Sequence, residues 1–297
     1  MFRHVRRLLP PCVREVQAAS AARKDLARRR RGPVADEADD GRLVRLPARA
    51  LHRGHRTVAP VTTDQTRDRL DQLAALGDRI SSCTACPRLV DWRHEAAASP
   101  PRSFASDRYW ARPLSGFGDP AARVVLVGLA PAAHGGNRTG RMFTGDRSGD
   151  FLFAGLHRQG FANQPTSVRA DDGLELIGAY VTAPVRCAPP ANRPLPAERR
   201  QCMPFLEEEL ALLPDAHVYV ALGGYAFESI SRLDRVRGRM KGRFAHGAEI
   251  SLDPAPDAGP HVVVCSYHPS QRNVFTGLLT AQMFDEVLVR ARQLADA

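Results

Sequence analysis

The chain has 297 residues, of which 43% are hydrophobic and 25% are charged, a composition typical of a globular protein. It has no run of 18 or more apolar residues, which excludes a predicted membrane span, and its first 20 residues lack the apolar centre of a secretory signal. Its six cysteines do not form the pattern of a secreted disulfide scaffold. We therefore expect a cytoplasmic protein without a membrane partner.

The net charge of +10 comes almost entirely from the first part of the chain. Residues 1–60 contain 15 Lys and Arg against 6 Asp and Glu, whereas the remaining residues contain 27 against 26. This composition predicts a disordered basic arm over 1–60, with Cys12 unliganded, and one folded domain over 61–297. A sharper alternative is that the arm adds nonspecific affinity for nucleic acid.

In chain order, the first predicted element is a helix over 66–81, where four aliphatic residues recur on one face. The helix ends at SSCTACPRL, which sets Cys83 and Cys86 in a C-x2-C spacing. Residues 100–120 mix aromatic residues and glycine without a clear period, and we predict a loop there.

Strands and helices alternate after this loop. Apolar, β-branched segments predict strands over 124–129, 174–182, 217–222 and 262–266. Helical patterns lie over 151–160, 196–213, 223–230 and 278–294, and the basic segment 234–260 is predicted to be a hairpin with loops. The alternation predicts an α/β fold with a parallel sheet, whose four strands end at one edge.

A glycine-rich loop follows the first predicted strand. Five glycines lie between Gly135 and Gly149, but neither the Walker phosphate motif nor the G-x-G-x-x-G dinucleotide turn is present. Such a loop by itself is better explained by a structural turn. Two further polar loops, 183–196 and 267–277, follow other predicted strands, so we expect the three loops to share a cleft.

Four cysteines outside the arm form a candidate metal set: Cys83, Cys86, Cys187 and Cys202. Their spacing is compatible with zinc and with a four-cysteine iron–sulfur cluster. The alternative is that Cys187 and Cys202 are small buried apolar residues. Cys265, inside the last predicted strand, fits that alternative well.

Together with these cysteines, three motifs resemble the family-five (B-type) branch of the iron–sulfur uracil-DNA glycosylases: GLAPAAHGGNRTGRMFTGDRSG, VRCAPPANRP and HPSQRNVFTG. The resemblance covers about residues 66–295 and includes the order of the motifs. It implies a three-layer α/β sandwich with a central, mainly parallel four-stranded sheet. It also implies a structural [4Fe–4S] cluster on the four cysteines, and a catalytic domain over 61–297.

The activity that the resemblance implies is the excision of uracil and other deaminated or damaged bases from double- and single-stranded DNA. Hydrolysis of an N-glycosidic bond requires a flipped base, a stabilised leaving anion and a water at the sugar carbon. The motifs place Phe143 as the stacking residue and His268 as the donor to the base carbonyl. The protein is expected to act as a monomer.

Other branches of the superfamily activate water with an acidic or amide side chain at the start of the first motif. Leu129 and Ala130 occupy those positions here and cannot do so. Asn192 resembles the asparagine that holds the water in this family, and Asp146 is a second candidate, although an N-cap is the simpler explanation for it. The asparagine that reads uracil in other branches is replaced near Ala183, which predicts a broader range of bases.

The remaining residues that the motifs assign to substrate binding are Gly128, Ala130, Asn137, Arg138, Arg272 and Asn273. Two other functions stay open at this stage. One is a DNA-binding or damage-sensing protein that carries a cluster but does not catalyse. The other is a cluster-bearing redox enzyme, which the absence of a flavin or nicotinamide fingerprint disfavours.

Overall fold

A computed structural model describes residues 63–254 and 260–297. The predicted arm and Cys12 lie outside the described residues. Within the described ranges, none of the helices combines the length and the apolar character needed to cross a membrane.

The domain is built on one mixed sheet. Its strands are β1 Phe117–Gly118, β2 Val124–Val127, β3 Ala179–Thr182, β4 Val218–Leu222, β5 Glu249–Ser251 and β6 Val262–Ser266. They lie in the order β1-β3-β2-β4-β6-β5, with the four inner strands parallel and the two edge strands antiparallel. The predicted parallel centre is therefore confirmed, and two short edge strands extend it to six.

Helices cover the sheet and connect its strands. They are α1 Thr63–Ser81, α2 Pro87–Ala98, α3 Gly136–Thr139, α4 Arg147–Arg158, α5 Pro196–Ala211, α6 Gly224–Ile230, α7 Gln271–Phe275 and α8 Ala281–Asp296. The sequence analysis did not predict α2, α3 or α7. Of these, α2 carries a start signal, because Pro87 lies in its first turn directly after Cys86.

Alternating strand residues pack on opposite faces of the sheet, as the pleat requires. On one face, Leu126 belongs to the core formed with α4 and α8, which includes Phe284. On the other face, Val125 and Val127 pack with α5 and α6, where Leu206 is fully buried. Helices on both faces of one sheet make the predicted three-layer α/β sandwich.

Two predicted segments differ in the structure. The strand predicted over 174–182 begins only at Ala179, because Gly178 has a φ of +63° and interrupts the extended chain. Within 234–260, β5 pairs with β6 instead of forming a hairpin with its own segment, and a single antiparallel bridge joins Met240 to Leu252. Pairing with β5 covers a sheet edge that would otherwise be open. Residues 255–259 of that segment lie outside the described ranges.

A buried ion pair fixes the loop that follows β3. Arg186 and Glu209 are each 1% exposed in their side chains, and Arg186 Nη2 lies 2.8 Å from Glu209 Oε2. Glu209 also accepts hydrogen bonds from the Thr182 hydroxyl and from the backbone N–H of Gly116. The end of β3, the chain before β1 and α5 are therefore held at one carboxylate.

Replacing Glu209 by Ala should be strongly destabilising, because Arg186 would stay buried without its counter-charge. We expect a loss of about 3–5 kcal/mol in the free energy of unfolding. Glu208→Ala is the matched control, since Glu208 pairs with Arg79 at the surface and such pairs contribute about 1 kcal/mol or less. Urea denaturation of both variants, followed by circular dichroism, measures the difference. Equal losses would contradict the importance of the buried pair.

Candidate active site

Loops that follow β2, β3 and β6 enclose a pocket of about 690 Å³ at the carboxyl edge of the parallel strands. Six of the predicted catalytic and substrate-binding residues line it: Ala130, Phe143, Asp146, Asn192, His268 and Arg272. The other four do not line it: Gly128, Asn137, Arg138 and Asn273. The three motifs therefore meet at one site.

Phe143 occupies a strained position against the backbone of two glycines. Its φ is +52°, a left-handed conformation that is uncommon for a non-glycine residue. A Cβ on Gly128 would lie 2.7 Å from the Phe143 ring, and a Cβ on Gly149 would lie 1.7 Å from the Phe143 carbonyl oxygen. Neither glycine can therefore carry a side chain without moving Phe143, which is only 9% exposed.

His268 lies beside Phe143, with 6.1 Å between the two ring centroids. Burial lowers the pKa of His268 to about 4, so its imidazole is neutral at physiological pH. Within the described ranges, its ring has no hydrogen-bond partner. The backbone of His268 is held from behind, since the Asn273 side chain donates to its carbonyl oxygen at 2.9 Å. The backbone of His268 is thus held in place, and its ring nitrogens are available to a ligand.

Asp146 caps α4. Its Oδ1 accepts from the backbone N–H groups of Ser148 at 2.9 Å and Gly149 at 3.0 Å. Its Oδ2 packs so close to Gly135 that a Cβ there would lie 1.9 Å away. Burial is the main cause that raises the pKa of Asp146. Asp146 is therefore the N-cap of α4, but the cap hydrogen bonds use only one of its two carboxylate oxygens, Oδ1.

Asn192 ends the 3-10 turn Pro190–Asn192 at the pocket rim. Ala191 and Asn192 both have positive φ angles, +53° and +54°. Asparagine tolerates this conformation better than most residues. The Asn192 side chain is exposed and has no hydrogen-bond partner among the described residues. Its amide is therefore free to bind a ligand at the rim.

Arg138 and Asn137 brace the glycine-rich loop from behind. Arg138 pairs with Asp107 at 2.7 Å and donates to the carbonyl oxygens of His134 and Gly145, each at 2.8 Å. Asn137 is fully buried. These contacts use the side chains that the motif assigned to substrate binding, and they hold the loop in shape.

The pocket-lining residues that the sequence analysis missed include Arg147, Phe104 and His134. The His134 Nδ1 lies 2.9 Å from the Tyr109 hydroxyl, and its ring stacks on Phe104 at a centroid distance of 6.4 Å. Burial lowers the pKa of His134, and the charge of Arg138 adds to the effect. His134 could have been predicted as a pocket residue because it lies inside the first motif. Phe104 could not, because it lies in a segment that shows no helical or strand pattern.

The four candidate ligand cysteines line one small cavity away from the pocket: Cys83, Cys86, Cys187 and Cys202. Cys83 and Cys86 lie just before α2, Cys187 follows β3, and Cys202 lies in α5. No group of three or more His, Cys, Asp or Glu in the described ranges is arranged to hold a single metal ion. Cys265 is fully buried within β6, as expected of a core residue.

A sequence profile of the uracil DNA glycosylase superfamily matches residues 115–292, which include all three motif loops of the pocket. Comparison with other proteins finds several similar ones that carry the name type-5 uracil-DNA glycosylase. The protein of Mycobacterium tuberculosis (strain CDC 1551 / Oshkosh) is 51% identical over 224 residues, which cover 75% of this chain and 82% of that relative.

Two further relatives with the same name extend the comparison. The protein of Mycobacterium leprae (strain TN) is 52% identical over 221 residues, covering 74% of this chain and 94% of the relative. The protein of Thermus thermophilus is 50% identical over 216 residues, covering 73% and 95%. With half of the aligned residues identical over nearly the whole of these relatives, the chain belongs to the type-5 branch of the uracil-DNA glycosylase superfamily.

Proposed function

We propose that this protein is a monofunctional DNA glycosylase. It flips uracil and other deaminated or damaged bases out of DNA and hydrolyses their N-glycosidic bond, which starts base excision repair. The observation that carries the proposal is the pocket, in which a neutral His268 lies beside the ring of Phe143 at the meeting point of the three motifs. The names of the relatives support the same activity.

His268 is the group that stabilises the departing base. Uracil leaves as an anion, so negative charge appears on the ring only as the glycosidic bond breaks. A neutral imidazole that donates an N–H to the base carbonyl lowers the energy of that state without first losing a proton. Because the Asn273 side chain already holds the backbone of His268, little reorganisation is needed at the moment of reaction.

Phe143 is the surface on which the flipped base stacks. Its left-handed backbone and the two glycines fix the ring where it faces the pocket beside His268. Stacking on an aromatic side chain tolerates different bases, because every base has a π face. The apolar neighbours Leu129 and Ala130 add few polar contacts, which supports a range of deaminated and damaged bases.

Asp146 and Asn192 hold the attacking water. Leu129 and Ala130 have no group that binds water, so the task falls to the polar side chains at the rim. Asp146 keeps Oδ2 outside its cap hydrogen bonds, and Asn192 presents a free amide. A carboxylate and an amide can orient one water between them without strong activation, which suits a bond that breaks ahead of nucleophilic attack.

Arg147 and Arg272 are exposed and line the pocket. Their positive charges can bind DNA phosphates, and their side chains can enter the gap that the flipped base leaves in the duplex. Neither has an ion-pair partner among the described residues. The proposed partners are double- and single-stranded DNA that contains the altered base. A pocket formed within one chain supports action as a monomer. Because its proposed substrate is DNA, the proposed location is the cytoplasm at the nucleoid.

A [4Fe–4S] cluster is the proposed cofactor, held by the four cysteines of the cavity. Four thiols from segments distant in sequence suit a four-thiolate set. Burial raises the pKa of Cys187 to about 12, so without metal its thiol is protonated at neutral pH. A bound metal would favour the thiolate. When bound, the cluster supplies a crosslink rather than a redox step.

The alternative of a cluster-bearing protein that binds damaged DNA without catalysis makes a different prediction for product formation. Oligonucleotides that each carry one altered base separate the two functions. Purified protein should leave an abasic site at uracil, seen as alkali-labile cleavage, and should leave matched thymine intact. Tight binding to the uracil oligonucleotide without any abasic product would favour the sensor and overturn the proposal.

Replacing His268 by Ala should slow excision far more than it weakens DNA binding. Loss of one preorganised donor costs about a hundred- to a thousandfold in rate, whereas DNA affinity depends mainly on phosphate contacts. Single-turnover excision and fluorescence anisotropy measure the two effects. His157→Ala, at an exposed position near the end of α4, is the control. A wild-type rate for His268→Ala would move the catalytic assignment to Asp146 and Asn192.

Replacing Gly128 by Ala should displace the Phe143 ring, because the added Cβ would lie 2.7 Å from it. A misplacement of this kind costs up to about a hundredfold in the single-turnover rate. Gly77→Ala is the matched control, since the nearest atom to a Cβ at that site in α1 is 3.5 Å away. If both variants excise uracil at the wild-type rate, the close contact between Gly128 and Phe143 is not needed for catalysis.

A further inference from the structure

Arg93, in α2, is a buried cation without an acidic partner among the described residues. It is 4% exposed. Its Nη1 lies 3.3 Å from the Cys187 sulfur and 3.4 Å from the carbonyl oxygen of Cys83, and its Nε has no hydrogen-bond partner. It also lines the cavity that the four cysteines share.

An arginine in this position requires a compensating negative charge. Removal of a guanidinium from water is costly unless the charge is paired and its N–H groups are satisfied. A neutral thiol is a weak acceptor and carries no charge. A metal-bound thiolate supplies both, because four thiolates outweigh the charge of a cubane core and make the assembly a net anion.

The second buried arginine of the cavity shows the contrast. Arg186 is 1% exposed and also has an unpartnered Nε, but Glu209 already neutralises it through two guanidinium nitrogens. Only Arg93 therefore combines burial at the cysteine cavity with the absence of a carboxylate in the described ranges.

The backbone of Arg93 contacts the loop that forms the active-site pocket. Its carbonyl oxygen accepts a hydrogen bond from Asn137 Nδ2 at 3.1 Å. Asn137 is fully buried and lies in α3, between the pocket-lining residues His134 and Phe143. One residue of α2 thus contacts a candidate ligand sulfur with its side chain and the pocket loop with its backbone.

We propose that Arg93 is the counter-cation of the cluster and the positioning residue that links it to the pocket. Its guanidinium donates an N–H to the Cys187 thiolate, and this contact fixes α2 so that the Arg93 carbonyl holds Asn137. The inference depends on the proposed cofactor. It assigns to the cluster a structural effect on the loop that carries Phe143.

The test compares purified wild-type protein with Arg93→Met, which removes the charge, and Arg93→Lys, which keeps the charge but loses the planar fork. Arg88→Met is the matched control, because Arg88 lies in the same helix and pairs with Glu198 rather than with a sulfur. The measurements are iron content, the rate of cluster loss in a chelator, the reduction potential of the cluster, and amide hydrogen exchange in residues 135–145.

For Arg93→Met we expect a lower reduction potential, since reduction adds negative charge and a nearby cation and N–H···S contacts favour it. Cluster retention should fall by about ten- to a hundredfold, the usual effect of losing a contact to a metal ligand. Arg93→Lys should recover part of the potential. Exchange in 135–145 should rise in Arg93→Met, and Asn137→Ala should raise the same exchange without changing the potential.

A wild-type protein without iron would overturn the proposed cofactor and this inference with it. A loaded wild-type protein with an unchanged potential in Arg93→Met would overturn the inference alone. If Arg93→Met does not fold, Arg93→Lys decides, and a wild-type potential and retention in that variant would reject the thiolate contact. An equal loss of potential in Arg88→Met, which also removes a charge near Cys86, would show that the effect does not depend on the contact between Arg93 and Cys187. Unchanged loop exchange in Arg93→Met would reject the link to the pocket.

Discussion

The close packing of Phe143 against the backbone of Gly128 and Gly149 is the constraint on which the pocket depends. Gly128 lies at the end of β2 and Gly149 in the first turn of α4, so the contact joins the sheet edge to the helix start. Asp146, between them in sequence, caps the same helix. The strain in Phe143 is therefore held by regular elements on both sides, as is usual where strained residues serve a function.

The electrostatics of the pocket follow from this packing. The pocket lining combines the apolar Leu129 and Ala130 with charged side chains, and desolvation lowers the pKa of His268 so that its imidazole stays neutral. A donor in such surroundings interacts strongly with charge that develops on a leaving base, since little water screens it. We propose that Asp146 and Asn192 need to activate the water only weakly, because His268 stabilises the departing anion and supplies most of the rate enhancement.

Much of this arrangement was predictable from the sequence. The four parallel strands follow from apolar runs, and the polar loops after three of those strands were predicted to share a cleft because the strands end at one edge of the sheet. The edge strands β1 and β5, of two and three residues, are too short to show the alternation of apolar and polar residues that identifies a strand. The bracing of Arg138 by Asp107 and the contact between Arg93 and Cys187 join distant segments. Such contacts depend on tertiary packing, which local patterns do not encode.

The central claim is that a neutral imidazole, already in place, meets the anion of the departing base. The most direct test is the pH dependence of single-turnover uracil excision by saturating wild-type enzyme. Because the pKa of His268 is lowered to about 4, the imidazole stays neutral as pH falls from 8 to 6. The rate should therefore not rise over that interval, and it should fall where protonation of Asp146, whose pKa burial raises, removes the carboxylate that holds the water. A rate that rises as pH falls through 6.5 would show that the imidazolium is the active form and would contradict the account.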